Sequence, residues 1–168
     1  PAPDPQRRYT GEQLANAQHL IDVHDMFRHE LAQLRDLVAQ VEAGTTDVGT
    51  ARSLINTMTL RQNNWTLGAY CESYCRALTT HHSLEDTILF PRLRYGDAGL
   101  KPVVARLEQE HEVIAEILDR VDRALVATVS TPDGPAQLYA VLDLLTDALL
   151  SHLSYEERAL VEPLARFG

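Results

Sequence analysis

A chain of 168 residues, 45% of them hydrophobic, can bury one substantial core without disulfide support, so we read a single domain, 1–168, with residues 1–9 as an N-terminal arm. The formal charge of −9, with acids scattered along the whole chain, excludes the basic face that nucleic acid requires and disfavours an anionic membrane surface. No apolar run approaches a membrane span, and the polar, proline-rich start is not an export signal; the expectation is a soluble, cytoplasmic protein with no membrane partner.

In chain order, Thr10-Gly11-Glu12-Gln13 has the form of a capping box and predicts a helix start. Leu14, Ala17, Ile21, Phe27, Leu31, Leu34, Val38 and Val41 then recur at steps of three and four, one buried stripe with His24 in its middle. Gly44-Thr45-Thr46-Asp47 ends that helix. Helix-compatible sequence resumes near Thr50, too early for a simple antiparallel partner of the first helix, so a short extra helix is expected at about 50–58 across the bundle end. The long helix after it places Leu60, Leu67, Cys71, Tyr74, Leu78, His81, Glu85, Ile88 and Leu89 on its inner side. Cys71 and Cys75, one turn apart, read as small core residues, since no zinc-type spacing surrounds them.

Tyr95-Gly96-Asp97-Ala98-Gly99 predicts a turn, and Pro102 suits the first turn of the third helix. That helix carries Leu100, Val104, Leu107, Ile114, Leu118, Val121 and Leu125 on one seam, interrupted by His111. Residues 130–135 form a loop, and the fourth helix follows with Leu138, Leu142, Leu145, Leu149, His152, Glu156 and Leu160; the chain stops soon after Leu164, so no appended domain is expected. The predicted fold is all-α, an antiparallel up-down-up-down four-helix bundle with the short extra helix between helices 1 and 2.

His81 with Glu85 and His152 with Glu156 repeat one imidazole–carboxylate spacing of four residues, which puts each pair on one helix face. Counting residues from the turns at about 1.5 Å each brings His24, His81, His111 and His152 to one height. Six such groups in an apolar interior need partners, because a lone buried carboxylate is heavily penalised. Metal coordination supplies them; plain His–Glu hydrogen-bonded pairs are the alternative. Mixed imidazole and carboxylate donors suit a dinuclear site of iron or, second, manganese better than tetrahedral zinc. His19 and His29 fall on the solvent side of the first helix. His82 with Asp86 repeats the same spacing one position out of register, and His81 with Glu85 is preferred because it aligns with His152 and Glu156.

With His24-Asp25, the stretch His81 to Pro91, Glu110-His111-Glu112 and His152 with Glu156 in this order, the sequence resembles the hemerythrin-like, or HHE cation-binding, proteins of the bacterial stand-alone type. The resemblance implies a four-helix bundle with a diiron centre, two carboxylate bridges and an oxo or hydroxo bridge. His24, His81, His111 and His152 would be its nitrogen ligands, Glu85 and Glu156 its bridges. The oxygen carriers of that family supply a second histidine one turn after the third-helix ligand; here that position is Ala115. The expected centre is therefore more symmetric and poorer in histidine, with Tyr155 or Tyr74 as candidate extra or supporting ligands.

Open positions at such a centre imply chemistry with small ligands, H2O2, NO and O2. The first hypothesis is an oxidoreductase that handles hydrogen peroxide, with nitric oxide as a further ligand, in catalase-like or peroxidase-like fashion. The second is an oxygen- or iron-binding storage or sensor module without turnover. Iron donation lacks the cysteine-rich segment of the members that perform it, and no protein partner is indicated.

Overall fold

A computed structural model of the chain describes residues 9–46, 53–131 and 133–167. The four long rods are α1 (Gly11–Thr46), α2 (Ser53–Leu84) continued by a π-helical turn (Glu85–Leu89) into α3 (Phe90–Gly96), then α4 (Lys101–Ser130) and α5 (Gly134–Phe167), with a 3-10 turn at Ala98–Leu100. They pack antiparallel as a four-helix bundle in the cyclic order α1, α2, α4, α5, each flanked by two others. No helix among the described residues is long and apolar enough to cross a membrane.

The capping box forms as the sequence predicts: Thr10 N–H donates to Gln13 Oε1 at 2.8 Å and Gln13 N–H to Thr10 Oγ1 at 3.2 Å. Between α4 and α5 the connection is so short that a Cβ on Gly134 would lie 2.3 Å from the Ala127 carbonyl oxygen. Asp97 accepts a hydrogen bond from Gly99 N–H at 2.9 Å and so caps the 3-10 turn that leads into α4.

Three sequence expectations are corrected. The extra helix at 50–58 is not separate: from Ser53 onward those residues are the first turns of α2, because neither proline nor glycine interrupts the run to Leu67, while residues 50–52 lie outside the described set. Leu14 is exposed and Ile21 half-buried, and Leu20 holds the inner position beside Ala17. Ile88, expected inside, is 54% exposed. Its displacement follows from the π turn, in which Phe90 N–H bonds the Glu85 carbonyl five residues back rather than four. Pro91 favours that wider turn, since it donates no N–H and its ring would crowd the carbonyl of Thr87 in a regular α-helix. The inner face then passes from Glu85 to Phe90 and Leu93. The side chains of Leu60 and Leu67, and residues 1–8 of the N-terminal arm, lie outside the described residues.

The interior is two apolar cores with a polar layer between them. One contains Phe27, Leu31, Leu34, Tyr74, Leu78, Ile114, Val121, Leu142 and Leu149; the other contains Leu20, Phe90, Leu93, Leu107, Leu160 and Leu164. On every rod the histidine sits at the crossing from one core to the other. The common height counted from the sequence is therefore a real plane through the bundle.

Candidate metal centre

Each rod delivers its ligand-type side chains to that plane from within a continuous helical run, Glu85 from the π turn, which fixes their direction before any metal binds. His24, His82, Glu85, His111, His152 and Glu156 are all buried, and His81 is 17% exposed on its side chain. Among the described residues three groups have donor atoms within 4.8 Å of one another: His24 with His81 and Glu85; His82 with His111 and His152; and Glu85 with His111 and Glu156. All six sequence-predicted residues are brought together, joined by His82.

The two carboxylates lie between the imidazoles. Glu85 Oε1 is 3.2 Å from His81 Nε2 and 3.5 Å from His111 Nε2. Glu156 Oε2 is 3.3 Å from His152 Nε2 and 3.7 Å from His24 Nε2. Each carboxylate thus reaches from one histidine group toward the other, as a bridging ligand must. Both oxygens of Glu85, both of Glu156, and Nε2 of His24, His81 and His82 are buried without an aligned hydrogen-bond partner. That many orphaned polar atoms in one layer is a costly arrangement for a packed core, at about 1–3 kcal/mol each, and a cation removes the cost.

A ring of outer carboxylates orients three of the imidazoles. Asp86 lies 2.8 Å from His111 Nδ1, Glu110 lies 2.9 Å from His152 Nδ1, and Glu157 lies 3.2 Å from His24 Nδ1. Each of these outer carboxylates favours a proton on the Nδ1 it faces, the tautomer that would leave Nε2 as the donor to a metal. Glu157 is itself held by Arg28, which also pairs with Asp25 at 2.8 Å. The pattern is sequential: α2 orients the ligand of α4, α4 that of α5, and α5 that of α1. From the sequence Asp86 reads only as the partner of His82 and Glu110 only as part of the Glu110-His111-Glu112 element, and none of the three as an orienting group. Their signal is adjacency, because the residue next to an inward ligand points about 100° around the helix, toward the neighbouring rod.

Electrostatics agree with a site prepared for a cation. Burial lowers His81 to about 4 and His82 to about 2, so both are neutral at pH 7 and bind without first losing a proton. Burial likewise lowers His111. His152 is raised: burial pulls it down, but hydrogen bonds to Glu156 and Glu110 outweigh that. Burial, reinforced by the neighbouring Glu156 carboxylate, lifts Glu85 well above the usual carboxylate range. Glu156 is brought down to about 2 in spite of burial, by Glu85 and His152 beside it. Two buried carboxylates with oxygens within 4.8 Å of each other do not both ionise readily, and a cation between them would relieve that.

Two observations bear on the expected ligands. His82, weighed from the sequence against His81, is buried in the same layer, with a ring nitrogen within 4.8 Å of those of His111 and His152. The tyrosines have other partners. Tyr74 donates its hydroxyl to the Phe27 carbonyl at 3.1 Å, and Tyr155 lies under the Arg106 guanidinium, 3.9 Å from ring centroid to Cζ. His19 and His29 are exposed, as expected.

Buried histidines and carboxylates that face one another across four helices define a class, the metal-binding bundle whose site is built from side chains of facing rods. The family described as Hemerythrin HHE cation binding domain matches residues 15–164, and the chain belongs to that family. No curated protein and no solved structure matches the chain significantly.

Proposed function

We propose that the chain is a non-haem diiron protein that reacts with hydrogen peroxide, and with nitric oxide as a second small ligand, in catalase-like or peroxidase-like redox chemistry. The observation that carries this reading is the pair Glu85 and Glu156, each set between imidazoles of two different helices with both oxygens unpartnered. His24 and His81 would hold one ion, His111 and His152 the other, and the two carboxylates would span them. Manganese fits the same donors as a second choice. When bound, two such ions supply redox equivalents at adjacent positions.

The protein's own contribution is shape, orientation and access. Asp86, Glu110 and Glu157 fix the direction of three imidazoles, and the apolar cores on both sides keep bulk water from the layer. Small molecules have two approaches. A cleft of about 420 Å³ reaches His82, Asp86 and His111 between α2 and α4, and one of about 380 Å³ reaches His81 and Glu85 past Leu20, Val23 and Ile88. The second is mainly apolar and favours neutral, compact ligands, whereas the first is lined by Asp86, Arg94, Glu108 and Glu112 beside the histidines.

The test is metal content and the absorption spectrum of the purified protein before and after peroxide, with oxygen evolution and nitric oxide consumption followed directly. Two irons per chain and turnover of either ligand support the reading. Iron-loaded protein that evolves no oxygen, consumes no nitric oxide and changes spectrum with neither sinks it. Reversible spectral cycling on deoxygenation and reoxygenation, without turnover, selects the oxygen-binding module instead.

A further inference from the structure

We propose that His82 is a fifth imidazole of the metal centre, placed through its Nε2 on the ion that His111 and His152 would hold. The inference rests on the diiron reading above and adds to it a ligand and an asymmetry. His82 is 6% exposed, and its Nε2 is buried with no hydrogen-bond partner. Its ring stacks on that of His111, with centroids 3.9 Å apart and planes 14° from parallel, and lies 5.1 Å from the ring of His152. One ring nitrogen from each of the three falls within 4.8 Å of the others.

Neighbouring residues on a helix diverge by about 100°, which is what two ligands for two separate ions require. His81 turns toward α1, its ring 5.4 Å from that of His24 and edge-on to it. His82 turns toward α4. The rod formed by α2 thereby serves both halves of the centre with consecutive side chains, and Glu85, one turn later, lies between the two. On α4, the residue one turn after His111 is Ala115, which has no donor atom and lines the same cleft as His82. The third nitrogen of that half comes from α2 instead. An imidazole that served packing alone would leave its buried Nε2 unsatisfied in the most polar layer of the interior.

The consequence is three imidazoles on one ion and two on the other. The experiment is metal binding by the full chain, wild type, His82→Gly and His82→Gln, titrated with iron(II) under anaerobic conditions, with helicity followed by circular dichroism. We expect the wild type to bind two ions, and both variants to bind one of them on the order of ten- to hundredfold more weakly. Millimolar free imidazole restores the second ion in His82→Gly, because the cleft of about 420 Å³ opens directly on the vacated position. Glutamine keeps volume and hydrogen-bonding capacity, so its loss of metal separates ligation from packing. Wild-type affinity for both ions in His82→Gln, or a loss in His82→Gly that imidazole does not restore at wild-type helicity, overturns the inference and leaves the diiron reading standing. A wild type that binds no iron overturns both.

Discussion

Nε2 of His111 and Nε2 of His152 face each other at 3.1 Å, although each ring already has its Nδ1 against a carboxylate, Asp86 for one and Glu110 for the other. Without a metal, that contact requires a proton on one of the two nitrogens, donated to the other. A cation held by both Nε2 atoms would take that proton's place, so metal binding here competes with a proton held between two residues.

The bridging positions are predicted to be the most sensitive to substitution. Glu85→Ala and Glu156→Ala should each lose much of the bound iron, whereas His29→Ala, on the exposed face of α1, should lose none. Iron per chain by elemental analysis decides the matter; full retention in both glutamate variants would falsify the assignment of the centre.

The outer carboxylates should tune affinity without building the site. Asp86→Asn, Glu110→Gln and Glu157→Gln are each expected to weaken metal binding on the order of ten- to hundredfold while leaving helicity unchanged. Competition with a chelator of known strength measures this. Three variants indistinguishable from wild type would reduce these contacts to surface ion pairs.

Gly134→Ala should destabilise the fold without touching the centre. The added methyl would sit 2.3 Å from the Ala127 carbonyl oxygen and 2.4 Å from Thr128 Cα, both backbone atoms that cannot rotate away. A cost of roughly 1–3 kcal/mol is expected by chemical denaturation of the metal-free protein, with iron stoichiometry unchanged. An unaltered midpoint would show that the turn relaxes at no cost.

Burial pushes the Cys71 thiol up to about 12 and that of Cys75 to about 11, from an ordinary 9.0. Both thiols are therefore protonated at pH 8 and should react with an aromatic disulfide reagent far more slowly than in denaturant. The sign for stability follows. Folded thiols hold protons that unfolded ones release above pH 9, so their contribution is whole below pH 9 and is lost as pH rises toward 12. A denaturation midpoint that falls over that window in wild type, and less so in Cys71→Ala/Cys75→Ala, checks it.

Much of this was legible in the sequence, for identifiable reasons. The apolar stripe of α4 gave its length and inner face because every seam residue from Val104 to Val121 obeys one period, and His111 interrupts it alone. His152 and Glu156 were found the same way. What could not be read was α2 beyond His81. A 3.6-residue period carried through a π turn assigns Ile88 to the core and misses Phe90, and it forces a choice between His81 and His82 that the structure does not make. The orienting role of the outer carboxylates is not legible because their partners sit on other helices, so no spacing within one helix reveals it. Leu14 was misplaced because the stripe of α1 begins only at Ala17, where α1 acquires neighbours to pack against.

The layer between the two apolar cores also has a mechanical meaning. Every rod crosses it at mid-length, so the bundle is two short bundles stacked end to end, each with its own apolar filling, sharing four continuous backbones. A pair of ions at the junction would act as a rivet through all four rods, while the metal-free protein carries in the same place a layer of buried imidazoles and carboxylates with unpartnered polar atoms. Removal of metal should therefore loosen the molecule from its waist outward, with amide exchange around His82, His111 and His152 quickening before that of Leu34 or Leu142 deep in the larger core.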